Sequence, residues 1–222
     1  MTNQTQPDFT PALGLKGLTG AYDRVIAVMT RERRWRARLL SCLAPRGADT
    51  IIDLGSGTGS LAILVKRAVP SVRYVAVDPD PDVEAIARAK ARAAGLDVEF
   101  VTALGGDAAS HLGVGVADKV VSSLVLHQCS HEAKLALLRD AGKLLKPNGQ
   151  LVVADYGRQR GWLMPLLFNL VRRLDGYENT RANKDGEIPV LIGQAGFNEV
   201  RELEWIQTLT GSISLYTARK AV

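Results

Sequence analysis

The sequence predicts an α/β fold: a doubly wound, mostly parallel, seven-stranded sheet closed by a C-terminal antiparallel hairpin. Three observations predict it. Short apolar runs alternate with amphipathic stretches between residues 50 and 155, a glycine-rich turn follows the first run directly, and two β-type runs near the C-terminus meet at Thr210-Gly211. Strands alternating with helices call for right-handed parallel crossovers, and a short glycine turn between β-type runs calls for an antiparallel pair.

Residues 1–17 read as a flexible polar lead, in which Pro7 and Pro11 discourage helix. The lead lacks the charged-then-apolar layout of a secretion signal. Residues 18–222 then form one domain. It opens with helical apolar spacing over 18–43, stopped by Pro45-Arg46-Gly47, so that 18–44 forms an N-terminal helical lid. Thr50–Leu54 is too short for a helix and reads as a buried strand. Helix follows over 58–68, closed by Pro70, then a strand over 72–77. Residues 81–94 are an alanine-rich helix capped by Gly95, and 98–101 are a strand. The run 119–126 is the next strand. After it come a helix over 130–145, stopped by Pro147-Asn148-Gly149, and a strand over 150–155. A short helix over 188–195 ends at Gly196, and 199–208 with 212–218 make the hairpin.

With 222 residues, 46% of them hydrophobic and 23% charged, the chain can bury a full core within that one domain. Its net charge of +5 permits an anionic partner without requiring one. Arg31, Arg33, Arg34, Arg36 and Arg38 share a segment with Ile26, Met29, Trp35 and Leu39. That pattern fits the solvated face of an amphipathic helix, with peripheral membrane contact as the alternative. No nucleic-acid-reading module accompanies the charge, so no nucleic-acid partner is expected. Two cysteines, Cys42 and Cys129, do not make a disulfide framework and suit a reducing, cytoplasmic setting. The apolar stretch over 162–171 ends at Arg172 and Arg173, too short to span a bilayer.

The segment Asp53-Leu54-Gly55-Ser56-Gly57-Thr58-Gly59-Ser60 carries the chemistry. It lies between a strand and a helix, at the carboxyl edge where open α/β sheets bind ligands. A dinucleotide fingerprint needs G-x-G-x-x-G, whereas Gly55, Gly57 and Gly59 give G-x-G-x-G. Asp53 would repel a pyrophosphate but suits the ammonium and sulfonium charges of S-adenosylmethionine. Asp78, nineteen residues beyond Gly59 and followed by Pro79, is placed to accept hydrogen bonds from ribose hydroxyls, or else is a turn residue. Asp80 and Asp82 read as capping and solvated residues. In Gly106-Asp107-Ala108, Asp107 could accept from an adenine amine or be an ordinary loop residue.

These segments, with 118–127 and Leu144-Leu145-Lys146-Pro147-Asn148-Gly149-Gln150-Leu151, resemble the successive motifs of class I S-adenosylmethionine-dependent methyltransferases over roughly residues 45–157. The resemblance implies a Rossmann-like methyltransferase fold. It implies a donor held by Asp53, Gly55, Ser56, Gly57, Gly59, Asp78, Pro79, Asp107 and Ala108, with backbone near Ser122 and Ser123 on the methionine moiety. More narrowly, Tyr22-Asp23, Arg34-Trp35-Arg36, Gly196-Phe197, Thr210-Gly211-Ser212 and Leu215-Tyr216 resemble the ubiquinone/menaquinone-biosynthesis type. Leu126-His127-Gln128-Cys129 departs from the arginine-containing stretch typical of those quinone enzymes.

His127, ending the fourth strand, is the candidate general base facing the donor cleft, or a pocket-shaping or capping residue. Tyr22 is either a lid residue over the donor or a packing residue. The alternate spacing of His127, Cys129 and His131 spans a strand end and a helix start, so no metal site is expected. Residues 157–187 read as an acceptor-side insertion. Its 161–168 stretch is a hydrophobic pocket wall, a packing helix or a dimer face, and Tyr156, Trp162 and Phe168 are the acceptor-binding candidates. The expected reaction is methyl transfer to a small hydrophobic acceptor: a quinone precursor, a lipid amine or a secondary metabolite. An NAD(P)-dependent oxidoreductase and a non-catalytic donor-binding subunit are the alternatives, in a monomer or homodimer.

Overall fold

Side chains of a strand alternate between the two faces of its sheet, and β1 (Thr50–Leu54) sets the pattern here. Ile52 and Leu54 enter one core while Ile51 enters the other. In the computed structural model, which describes residues 29–221, β1 lies mid-sheet in the order β3-β2-β1-β4-β5-β7-β6. The remaining strands are β2 (Arg73–Asp78), β3 (Glu99–Thr102), β4 (Ala117–Ser123), β5 (Leu145–Tyr156), β6 (Phe197–Thr208) and β7 (Gly211–Lys220). β1 to β5 pair in parallel, and β7 runs antiparallel to both β5 and β6. The expected sheet, hairpin included, is the one present. Its order reverses between β1 and β4, the switch point beyond whose strand ends open α/β sheets bind ligands.

Helices cover both faces. On one side lie α1 (Glu32–Leu43), α2 (Ser60–Ala68) and, after the α3 (Pro81–Ala93), α4 (Ala108–Leu112) and α5 (His131–Leu144) connections, α6 (Leu163–Asp175). Their Trp35, Leu39, Leu43, Leu61, Val65 and Phe168 share a core with Ile51 and Tyr74. The α1 residues Trp35, Leu39 and Leu43 recur every four positions, so one stripe is buried. An indole buried completely removes about 150–250 Å² from water, worth about 4–6 kcal/mol at ~25 cal/mol per Å². The opposite face is closed by α4, α5 and α8 (Ile188–Gln194), with Ala182 of α7 (Arg181–Asp185). Local signals set the helix starts. Asp80 caps α3 by accepting from the Asp82 and Val83 N–H groups, with Pro81 in the first turn, and Ser130 caps α5 by accepting from Ala133 N–H.

Several elements differ from the sequence expectation. β5 begins at Leu145, not 150, because Pro147 and Asn148 sit in a register shift: Ala117 pairs with Leu145, and pairing resumes at Lys119 with Gln150. An irregular stretch can hold a proline that a regular ladder could not. β4 stops at Ser123, since Leu124 has φ 57° and turns the chain into a 3-10 segment over Leu126–Gln128. The five-residue helices α4 and α7 were not expected; five residues are too few to display a 3.6-residue period. Of the helix expected over 18–43, the C-terminal part is α1, and the rest of the expected lid lies outside the described residues.

Candidate active site

The glycine bend after β1 is tied to the end of β2. Gly55 and Ser56 N–H groups both donate to the Val77 carbonyl, at 2.8 and 3.0 Å. Gly55 is required twice over: its φ is 75°, and a Cβ there would lie 2.3 Å from Val125 Cγ2. Gly57 (φ 55°) is different, because a Cβ would meet nothing within 4 Å, leaving its face open toward the crevice. Gly59 N–H closes the bend on the Ser56 carbonyl, and the Gly59 carbonyl accepts the first α2 bond from Ile63.

Two carboxylates edge this bend. Asp78 at the end of β2 accepts from Gly57 N–H at 2.8 Å through Oδ2 and from Asp80 N–H at 3.1 Å through Oδ1. These bonds fix its orientation while each oxygen keeps a free lone pair. Burial raises its pKa, although the two backbone bonds oppose the shift. Asp53, on β1, is fully buried on the side of Tyr74. The Tyr74 hydroxyl donates to Asp53 Oδ2 at 2.8 Å, and Oδ1 has no partner among the described residues. Burial pushes its pKa up to about 7, against the opposing hydrogen bond from Tyr74 and the charge of Arg36. A buried acceptor with an unused oxygen fits a cationic ligand group.

The other donor-side candidates lie along the same strand ends. Pro79 follows Asp78 into α3. Asp107 precedes α4, exposed and with its side chain not capping the helix, while Ala108 is buried behind it. The Ser122 hydroxyl donates to the Leu54 carbonyl at 2.8 Å, locking β4 to β1 at the bend, and Ser123 ends β4 beside it.

His127 occupies the 3-10 segment beyond β4, buried beneath the β5–β6 connection. Its Nδ1 lies 2.8 Å from Asp155 Oδ1 at the end of β5, and its Nε2 lies 3.8 Å from Asp175 Oδ2 on α6. Burial alone would lower its pKa, but the charge and hydrogen bond of Asp155, with the charge of Asp175, hold it above the usual histidine value. Asp155 is itself anchored. Its Oδ2 accepts from Val125 and Leu126 N–H, and its Oδ1 accepts from Tyr156 N–H and Asn183 Nδ2. The histidine is thus oriented by a carboxylate and covered by a second one from α6.

The acceptor candidates divide. Tyr156 meets His127 edge-on, with 4.9 Å between ring centroids, and Phe168 at a 40° tilt, with 4.8 Å between centroids. Trp162 is apart from this group, 80% exposed at the start of α6. Tyr22 lies outside the described residues. Sequence reasoning missed Tyr74, Asp155, Asp175 and Asn183 as site residues. Asp155 alone gave a signal, a carboxylate ending a strand at the ligand edge; the others are recruited from distant positions by the fold.

With this geometry in place, comparison with known proteins is informative. Residues 51–149 match the family described as "Methyltransferase domain". The chain is 35% identical over 126 residues to a demethylmenaquinone methyltransferase of Thermus thermophilus, a match covering 56% of this chain and 55% of that protein. It is 36% identical over 124 residues to a ribosomal RNA small subunit methyltransferase C of Pseudomonas paraeruginosa, covering 54% of this chain and 36% of that one. The matched segments thus span about half or less of these curated relatives. Among solved structures, a SAM-dependent methyltransferase of Thermotoga maritima, named a possible histamine N-methyltransferase, superposes with a TM-score of 0.69. That match has 18% identity and covers 90% of this chain and 94% of the other.

Proposed function

We propose that this chain, which by its fold and its residues 51–149 belongs with the class I S-adenosylmethionine-dependent methyltransferases, transfers a methyl group from that donor to a small apolar acceptor. The observation that carries the reading is Asp53 Oδ1, a buried carboxylate oxygen without a partner among the described residues, beside an open glycine bend. A pyrophosphate would be repelled there, whereas an ammonium would complete it.

In this assignment Asp53 balances the donor's ammonium, and backbone at Gly55, Ser56, Gly57 and Gly59 follows its methionine part. Asp78, beside Pro79, accepts from the ribose hydroxyls, and Asp107 with Ala108 receives the adenine. Backbone at Ser122 and Ser123 completes the methionine end. The donor supplies a methyl group already activated on sulfur, so the protein's contribution is placement, worth about 7–11 kcal/mol in well-oriented reactions. Tyr156 and Phe168 supply the aromatic wall for the acceptor. Where the nucleophile arrives protonated, His127 takes the proton. Asp155 on Nδ1 fixes the tautomer in which Nε2 is the accepting nitrogen.

The apolar character of that wall favours a quinone precursor, a lipid amine or a comparable secondary metabolite over a polymer. The test is incubation with methyl-labelled donor and a host extract, followed by identification of the labelled product. Label in a small apolar compound supports the reading, and label confined to RNA or protein overturns it. Calorimetry with S-adenosylmethionine and with NADH separates the donor assignment from a dinucleotide site. Donor binding without label transfer to any fraction would identify a non-catalytic subunit instead.

A further inference from the structure

α6 is apolar on two sides. Met164, Phe168 and Val171 turn inward and are buried. Leu163, Leu166, Leu170 and Leu174 recur at three- and four-residue spacing on the other side, and all four are exposed, Leu166 by 60% and Leu174 by 63%. Trp162 stands in solvent before the first turn and Tyr177 after the last. The β6–β7 turn, which packs on α6 where Gly211 meets Phe168, adds exposed Leu209. A helix with apolar residues all round is ordinarily buried, and a contiguous exposed apolar row marks a contact surface.

The dimensions argue against a second copy of the chain as occupant. Thirteen residues at ~1.5 Å each make a strip about 20 Å long and one side chain wide, far short of the ~800 Å² per partner of a standard interface. Charge points to an anionic surface. α6 itself carries Arg172 and Arg173 against a single acid, Asp175; elsewhere in 157–187 Arg160 is held by Glu202, and Glu178 and Glu187 are exposed. Of the acids, Asp175 turns inward to His127, and Asp185 is engaged by Arg181 and Lys184. Arg158 and Arg173 are exposed and form no salt bridge among the described residues. Leucines flanked by an indole, a phenol and guanidinium groups have the composition of a helix lying flat at the headgroup level of a bilayer. No helix among the described residues is long and apolar enough to cross one.

We propose that the outward face of α6 docks this protein onto an anionic lipid surface. The arginine-rich α1 segment adjoins the β6–β7 turn of this patch, where Arg31 donates to the Gln207 carbonyl and Leu209 N–H donates to the Met29 carbonyl. Its Arg36 and Arg38 are engaged by Glu32 and Glu204. The docking site stands independently of which acceptor is methylated.

Sedimentation with vesicles tests it, using phosphatidylcholine alone and an equal mixture of phosphatidylcholine and phosphatidylglycerol. The full chain is expected to bind the mixed vesicles, less so as salt rises, and to bind the zwitterionic ones weakly. The double substitution Leu166→Glu, Leu170→Glu should reduce binding at least tenfold with thermal unfolding and donor affinity unchanged. If that variant unfolds, Arg173→Glu serves in its place, with weaker binding to mixed vesicles expected. No sedimentation of the wild-type chain, or equal binding by a folded variant, overturns the proposal. So does a wild-type dimer that ignores vesicles and that the double substitution splits, since the occupant is then a second copy.

Discussion

Replacing Asp53 by Asn should make the protein more stable in alkaline solution and less able to bind its donor. Burial holds the Asp53 carboxyl at about 7, against 3.8 for the free side chain. Between these values the folded chain keeps a proton that the unfolded chain has released. Its contribution to stability is therefore full below about pH 4 and is lost as pH rises through about 7. Roughly three pH units at 1.36 kcal/mol each give a penalty of about 4 kcal/mol at pH 8. Asp53→Asn abolishes that term but leaves an amide N–H group where no protein acceptor waits, costing about 1–3 kcal/mol. The curves should cross: with about 1 kcal/mol of the wild type's contribution already lost at pH 4.5, the variant is weaker by about 0–2 kcal/mol there and stronger by about 1–3 kcal/mol at pH 8. Urea denaturation of both proteins at the two pH values measures this, all other titrations being shared. Loss of the ammonium's charge partner, at about 1.5–3 kcal/mol, should lower donor affinity ten- to a hundredfold in calorimetry. Equal destabilisation at both pH values, or an unchanged donor affinity, would refute the reasoning.

Asp78→Ala should weaken donor binding strongly while leaving the fold intact by circular dichroism; binding equal to wild type removes its ribose assignment. Gly55→Ala, at positive φ and against Val125, should cost about 2–4 kcal/mol in denaturation and abolish tight donor binding. A loss below 1 kcal/mol would mean that Val125 yields easily. His127→Gln should reduce turnover on a protonated acceptor by about 10² to 10⁴ with donor affinity preserved. In the wild type that turnover should climb with pH, its midpoint above the ordinary 6.5 because Asp155 and Asp175 favour the imidazolium. A flat profile, or full activity in His127→Gln, assigns the histidine to structure alone.

How much of this was legible in the sequence depended on how local each signal was. The parallel sheet followed from alternation, the C-terminal hairpin from Thr210-Gly211, and the bend from the strand–glycine–helix context at Asp53 to Ser60, whereas the strand order did not. Asp53 was legible as a carboxylate, but its partner Tyr74 lies on the neighbouring strand, and the depth of its burial emerges only when α1 and α2 pack over it. His127 was legible as a strand-end imidazole. That it lies between Asp155 and Asp175 was not, because the two come from β5 and α6 and meet only through the turn that Leu124 makes at φ 57°. Trp162 and Phe168 shared a candidate list because both belong to an apolar helix. Periodicity tells which residues share a face, but with apolar side chains on both sides it cannot tell which face is inward.

The division of labour along the chain follows from the topological switch. The residues assigned to the donor, from Asp53 to Ser123, sit on β1, β2 and β4 and in the connections that follow β1, β2 and β3. Tyr156, Phe168 and the carboxylate covering His127 come from β5 and the connection to β6, beyond the span 51–149 that matches the methyltransferase domain. That connection is attached by Phe168 and Val171 in one core and Ala182 in the other as well as by buried hydrogen bonds. Asn183 reaches the Tyr156 carbonyl and Asp155, and Lys134 reaches the Asn179 carbonyl. Those bonds hold the connection against β5 and α5. Asn183→Ala should therefore loosen the connection and raise the acceptor's KM while sparing donor affinity. An equal loss of donor affinity in that variant would mean that the two halves of the site are one cooperative unit.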